Sequence, residues 1–361
     1  MSEDVRQIDF AIVGGGWRTR FFLRVAAALP SRFRVSGVAA RNPEKRAALC
    51  DAFGVDAFGT VDEMLAHTSP QFVVTAVSWA GNPPLLRALA ERGIPALSET
   101  PPAPDLEGLI ELNRLADSRA RIQVAEQYFL VPHHAARLAV VASGAIGQPT
   151  QAQVSAAHGY HGISLIRKLL GLRCEPPKIT AMRFTSPMVG WPDLDGHLEE
   201  ERIERPGQDI AWLDFGDRLG VLDFTEPQYY SAIRNERVLV RGERGEIIND
   251  TVHYLKDFRT SVRLGLDRRI SGLEDKVGGS SLKGIQLGAD WVFVNPFAPA
   301  PMTVHEIAVA SCLVRMDEYV RTGKEFYPLW EASQDHYLSL LVAQVIQSGQ
   351  PVQATRQPWS V

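Results

Sequence analysis

The sequence predicts an α/β protein, an N-terminal doubly wound parallel sheet followed by an α+β domain with an open, mostly antiparallel sheet. Three observations predict it. Short apolar runs alternate with helical patterns as far as about residue 128. A run of glycines closes the first apolar stretch. Beyond residue 132 the strand-like runs follow one another across hairpin-type turns, with no helix between most of them.

The N-terminal part reads in order. Residues 8–13 form a nearly continuous apolar run that ends at Gly14-Gly15-Gly16, as a strand covered on both faces does. A helix follows over 21–29 and stops at Pro30. Residues 33–40 are the next strand, and Asn42-Pro43-Glu44 opens a helix with proline in its first turn. Residues 72–77 form a very apolar strand, 82–92 a helix closed by Gly93, 96–98 a short strand, 106–116 a helix and 122–125 a strand. Strands that alternate with helices imply right-handed crossovers and a parallel sheet. The first domain is therefore expected over 1–128 and the second over 129–361.

In the second domain a helix is expected over 133–143. Strands are expected over 150–157, 178–184, 210–215, 218–224, 237–241 and 246–250, with turns at Gly216-Asp217 and Gly242-Glu243. Long helices return over 304–321 and 329–348. Residues 186–208 and 265–300, rich in Pro and Gly, are expected to be irregular.

The chain has 361 residues, 45% of them hydrophobic and 22% charged, which suits a globular protein with a sizeable core. A net charge of -4 argues against nucleic acid or an anionic membrane as a partner. Cys50, Cys174 and Cys312 lie far apart with no CxxC spacing, as reduced thiols in the cytoplasm would. Residues 1–7 lack an apolar signal core, and no stretch reaches the ~18–20 apolar residues of a membrane helix. No phosphate-loop lysine, GxSxG, HExxH or cluster of metal ligands stands out, so no metal is expected.

Gly14-Gly15-Gly16-Trp17-Arg18-Thr19 sits between a strand and a helix, the context of the dinucleotide fingerprint GxGxxG/A. Gly14 and Gly16 fit the tight turn and the pyrophosphate approach, and Thr19 stands at the third glycine. The fold this predicts is a Rossmann domain, with phosphate at the helix N-terminus. The second strand ends Ala40-Arg41, without the acid that holds a ribose 2′-hydroxyl; an arginine suits a 2′-phosphate, so NADP is expected, with NAD as the alternative. Ala76, Ser78 and Asn82 after the apolar strand, Glu99 and Gln127 complete the expected cofactor-binding set with Gly14, Gly16, Trp17, Arg18, Thr19 and Arg41. Glu99-Thr100-Pro101 closes the strand 96–98 and puts a carboxylate at the lip of the cleft. His158-Gly159-Tyr160-His161 joins a strand to a helix and offers groups that exchange protons near neutral pH.

The order of these features resembles the Gfo/Idh/MocA family, over nearly the whole chain. The resemblance is carried by Ala11-Ile-Val-Gly-Gly-Gly16, Val73-Val-Thr-Ala-Val77, Arg92-Gly-Ile-Pro-Ala-Leu-Ser-Glu-Thr-Pro101, Ala125-Glu-Gln-Tyr128, Ser143-Gly-Ala-Ile-Gly147, the segment 237–246 and Gly349-Gln-Pro-Val352. It implies a Rossmann domain plus an α/β domain whose open sheet packs on another subunit, as a homodimer or homotetramer. It also implies oxidation or reduction of sugars, cyclitols and related polyols with NAD or NADP. In the family a Glu-Lys-Pro lysine and an Asp-xxx-His pair carry the proton chemistry. Here Thr100 replaces the lysine, Ala157 stands where the aspartate would be, and His161 matches the histidine.

The resulting expectation is an NAD(P)-dependent oxidoreductase for a sugar or sugar-derived polyol. His161 is its acid–base; His158, Tyr160, Glu99 and Thr100 polarise or orient the substrate. Two alternatives stay open: a cofactor-retaining lyase or glycosidase that oxidises its sugar transiently, and a nucleotide-binding sensor on a degenerate dehydrogenase scaffold.

Overall fold

The computed structural model describes residues 6–117, 120–192, 196, 200–271 and 280–360. Contacts divide the chain into two compact units: Met1–Pro132 with Ile270–Lys283 and Asn295–Ser333, and His133–Arg269 with Gly284–Val294 and Gln334–Val361. No helix among the described residues is long and apolar enough to cross a membrane.

The first unit alternates β1 (Ile8–Val13), α1 (Trp17–Ala28), β2 (Phe33–Ala39), α2 (Pro43–Phe53), β3 (Ala57–Phe58), α3 (Val61–His67), β4 (Phe72–Thr75), α4 (Asn82–Glu91), β5 (Ala96–Ser98), α5 (Leu106–Asp117) and β6 (Ile122–Val124). The six strands lie in the order β3-β2-β1-β4-β5-β6, every neighbouring pair parallel. That is the doubly wound order, which reverses between β1 and β4 and opens a crevice beyond their C-terminal ends. The apolar runs read from the sequence are continuous because the strands are buried on both faces; Phe10 of β1 stacks on Phe72 of β4 with centroids 5.7 Å apart.

The second unit begins with α6 (Pro132–Ala142), β7 (Pro149–Ser155), α7 (Gly159–Leu170) and β8 (Lys178–Thr185). It continues with β9 (Met188–Val189), β10 (Ile203–Glu204), β11 (Gly207–Asp214), β12 (Leu219–Thr225), β13 (Arg237–Gly242), β14 (Gly245–Ile248), β15 (Thr251–Leu255), β16 (Ser261–Ser271), β17 (Ser281–Leu287) and β18 (Asp290–Val294). The chain ends with α8 (Val304–Thr322), which belongs to the first unit, then α9 (Leu329–Ser348) and β19 (Val352–Gln353). α8 opens with a capping box between Thr303 and Glu306.

Eleven strands form one sheet in the order β18-β17-β16-β15-β14-β13-β7-β12-β11-β8-β19. It is mostly antiparallel, with β12 running parallel to β7. α7 packs on β12 so closely that a Cβ at Gly162 would lie 2.4 Å from Leu222 Cδ1.

Two expectations are corrected. Residues 265–300 are not a loop, since β16 runs to Ser271 and β17 and β18 follow. Val262, Leu264 and Leu266 alternate with exposed Arg263 and Gly265, but beyond them Asp267, Arg268 and Arg269 all face water and the alternation is lost. Within 186–208 the short strands β9 and β10 pair antiparallel; residues 193–195 and 197–199 lie outside the described residues.

Candidate functional site

In the first unit the site starts where β1 ends. Gly14 has φ +144°, and a Cβ there would lie 2.0 Å from the Ala76 carbonyl oxygen, so only glycine fits the turn at the end of β4. Gly16 has open space where its Cβ would be. Thr19 is fully buried beside the turn, and its Oγ1 has no hydrogen-bond partner among the described residues. Gly16 is the N-cap of α1, with no side-chain cap and no acid in the first turn. The first-turn N–H groups and the positive end of the helix dipole therefore face the open side of the turn, an arrangement that takes phosphate. These residues fit the pyrophosphate of a dinucleotide. Trp17 is exposed beside them.

At the end of β2, Ala40 is buried and Arg41 exposed. Asn42 caps α2 by accepting the Lys45 N–H at 2.8 Å. Arg46 Nη1 donates to the Ala40 and Arg41 carbonyls at 2.8 and 3.0 Å. Three cations thus collect round the strand end, with Glu44 the acid of the same helical turn.

Asn82 is buried and ties the crevice together from within. Its Oδ1 accepts from Thr75 Oγ1 at 2.6 Å, and its Nδ2 donates to Ser98 Oγ at 2.8 Å and the Pro102 carbonyl at 2.9 Å. It fixes the loop that carries Glu99, Thr100 and Pro101, while Ser78 lies exposed nearby in sequence. Glu99 Oε1 accepts from Arg18 Nε at 2.6 Å, and Arg18 Nη2 donates to Gln127 Oε1 at 2.6 Å. Arg18, expected in the cofactor-binding set, has its guanidinium held by Glu99 and Gln127. Position 100 carries no cation; the cation at this lip is Arg18, from the first turn of α1.

In the second unit the site gathers at the N-terminus of α7. His158 is the N-cap, and Tyr160 and His161 sit in the first turn. The His158 ring meets Tyr160 at 5.1 Å, His161 at 5.0 Å and Tyr229 at 5.9 Å, each edge to face. His336 of α9 approaches Tyr160 at 5.5 Å. Tyr160 and His161 are buried, whereas His158 as a whole residue is exposed although its ring is packed among aromatic side chains. Burial of the ring body, with His161 as the second cause, pushes the His158 imidazole down to about 3. Water at this exposed residue softens that shift without reversing it, so His158 is neutral at pH 7. Ala157 is fully buried, so no carboxylate stands at that position beside the histidines.

Sequence reading missed Tyr229, which lies 71 residues from His158 and approaches it only through the fold. It also missed the grouping of His133, His134 and Glu236, whose potential ligand atoms lie within 4.8 Å of one another. Arg137 Nη1 lies 2.9 Å from His134 Nδ1 and brings a cation to that group, which weighs against a metal ion there.

A glycine turn, an uncapped helix end and a parallel sheet reversing at that point define a dinucleotide-binding protein. Residues 8–128 match the Gfo/Idh/MocA model, described as an oxidoreductase family with an NAD-binding Rossmann fold. Over that segment the chain is similar to the NAD-binding domain of this oxidoreductase family. No curated protein matches the sequence. Among solved structures, a levoglucosan dehydrogenase with NADH and levoglucosan has TM-score 0.69 at 16% identity, covering 97% of this chain and 100% of its own. An oxidoreductase from Agrobacterium radiobacter with NAD+, L-tartaric acid and magnesium has TM-score 0.67 at 15% identity, covering 96% and 98%. A myo-inositol dehydrogenase from Corynebacterium glutamicum has TM-score 0.65 at 17% identity, covering 98% and 100%. At these identities the likeness shows a shared fold.

Proposed function

We propose that the protein is an oxidoreductase that passes hydride between a nicotinamide dinucleotide, preferably NADP, and a sugar or sugar-derived polyol. The observation that carries this reading is the glycine turn packed on Ala76 beneath the uncapped end of α1. Gly14, Gly16, Trp17, Thr19, Ala76 and Ser78 hold the dinucleotide, and Asn82, Arg18, Glu99 and Gln127 fix the loop and helix end that border it. Arg41, with Lys45 and Arg46 close by in α2, suits a 2′-phosphate.

The nicotinamide, when bound, supplies or accepts the hydride. His161 moves the proton of the reacting hydroxyl, and Tyr160 and His158 orient that oxygen. Thr100 donates a hydrogen bond in place of the family's lysine, without its charge. Sugar and cyclitol dehydrogenases among the structures of the same fold support the substrate class. We further propose that the protein works as a homodimer or homotetramer through the outer face of its eleven-stranded sheet, and that it acts in the cytoplasm.

The test is saturating NADPH with a panel of keto-sugars. Continuous loss of nicotinamide absorbance supports the proposal. Product without net cofactor oxidation would instead identify a cofactor-retaining lyase or glycosidase, and nucleotide binding with neither would identify a sensor.

A further inference from the structure

We propose that Tyr229 is a positioning residue: its phenol locks His158 as the neutral tautomer with the ring proton on Nε2, and that N–H is the donor the second unit offers to the substrate's reacting oxygen. The donor role rests on the oxidoreductase reading; the lock does not.

The geometry is specific. The backbone N–H of His158 donates to Tyr229 Oη at 3.1 Å, so a lone pair of the phenol is engaged. The same oxygen lies 2.7 Å from His158 Nδ1. A phenol is a strong donor and a poor acceptor, so this short contact is best made by the Tyr229 O–H donating to a bare Nδ1. A neutral imidazole with a bare Nδ1 carries its proton on Nε2. Nε2 has no hydrogen-bond partner among the described residues, and His158 as a whole residue is exposed.

Tyr229 is itself held. It ends a 3₁₀ turn, Glu226–Tyr229, which opens with a capping box between Thr225 and Gln228. Buried Gln228 ties that turn to β7, donating from Nε2 to the Ser155 carbonyl at 3.0 Å. The Tyr229 ring packs on Phe224 of β12 at 4.9 Å. The titratable groups whose rings meet His158 are Tyr160 and His161 on α7 and Tyr229 on the 3₁₀ turn. None of the three is a carboxylate that would draw a second proton onto the ring, and burial further favours the neutral form. A fixed neutral N–H stabilises charge that develops on an alkoxide or carbonyl oxygen without having to lose its proton. It supplies part of what Ala157 leaves out.

The experiment is nitrogen–proton correlation spectroscopy on the full chain with labelled histidine, at pH 7. The His158 signals are assigned by their loss in His158→Gln. We expect a pyridine-like Nδ1 and a pyrrole-like Nε2 for His158, and a mixture of tautomers in Tyr229→Phe. With substrate, Tyr229→Phe is expected to lose about 10²-fold in kcat with KM for the cofactor unchanged. A proton on Nδ1, a charged ring at pH 7, or an unaltered tautomer in Tyr229→Phe overturns the lock. The wild-type spectrum decides this even where the variant folds poorly. If no substrate turns over, the oxidoreductase reading fails and the spectrum still decides the lock. A correct tautomer with kcat unaffected in Tyr229→Phe overturns the donor role alone.

Discussion

At the scale of single residues, Arg41 and the histidines separate cofactor choice from chemistry. Arg41 is exposed at the end of β2, where an NAD site would carry an acid. A charge-assisted hydrogen bond to a phosphate contributes about 1.5–3 kcal/mol, so Arg41→Asp should weaken NADPH binding roughly 10- to 100-fold and leave NADH nearly unchanged. Fluorescence titration with both nucleotides checks this, and equal losses would remove Arg41 from the 2′-phosphate. His161→Ala should cost about 10²–10⁴ in turnover, with nucleotide affinity intact; a normal rate would move the proton chemistry elsewhere.

His158 sets a pH dependence of a definite sign. Burial pushes its folded value down to about 3, below the ordinary histidine value of about 6.5, so between the two the unfolded chain binds a proton that the native one does not. Stability is therefore full above pH 6.5 and falls as pH drops toward 3. Urea midpoints measured across that window should fall less steeply for His158→Gln than for the wild type. Identical slopes would mean that the imidazole is protonated in the native state. The residues of this cluster were legible in the sequence only as a motif. His158, Tyr160 and His161 fall within four consecutive positions, whereas Tyr229 joins them through the pairing of β12 with β7, which no local pattern encodes.

At the scale of elements, the turn from β1 to α1 was readable because its chemistry is local. A strand, glycines and a helix start within a dozen residues leave few other geometries. Gly14→Ala should therefore do more than loosen the turn. Its Cβ would meet the Ala76 oxygen at 2.0 Å, and φ +144° is closed to a side chain, so β1 and β4 must part at the point where phosphate would sit. We expect nucleotide affinity to fall by more than about tenfold, alongside roughly 1–3 kcal/mol of stability. Calorimetry checks the first and urea unfolding the second; nucleotide affinity equal to wild type would place the phosphate away from this turn. β16 was not readable for the opposite reason. It is held in the sheet between β15 and β17, and from Asp267 to Arg269 its own side chains are charged and exposed, so no apolar pattern marks that half as a strand.

At the scale of the whole molecule, the outer face of the eleven-stranded sheet bears on assembly. Met182 and Phe184 of β8 and Trp212 of β11 alternate with the buried Ile179, Ala211 and Leu213, so they share the face turned from the core. They are 48%, 50% and 40% exposed, and they lie on neighbouring strands, where Ile210 pairs with Met182 and Trp212 with Thr180. Large apolar side chains grouped on one exposed face mark a contact surface more often than a solvated one. A second copy of the chain is the occupant proposed here. A stable interface of this kind removes about 1,600 Å² from water, with aromatic side chains near its centre contributing most. Trp212→Arg puts a charge at that centre and leaves the inward-facing residues of β11 untouched. Sedimentation equilibrium should show the wild type as a dimer or tetramer and the variant shifted toward monomer, with nucleotide binding retained because Gly14 and Arg41 belong to the other unit. A wild type that sediments as a monomer at micromolar concentration would remove the sheet face from assembly. A variant that stays fully oligomeric would move the contact to another surface.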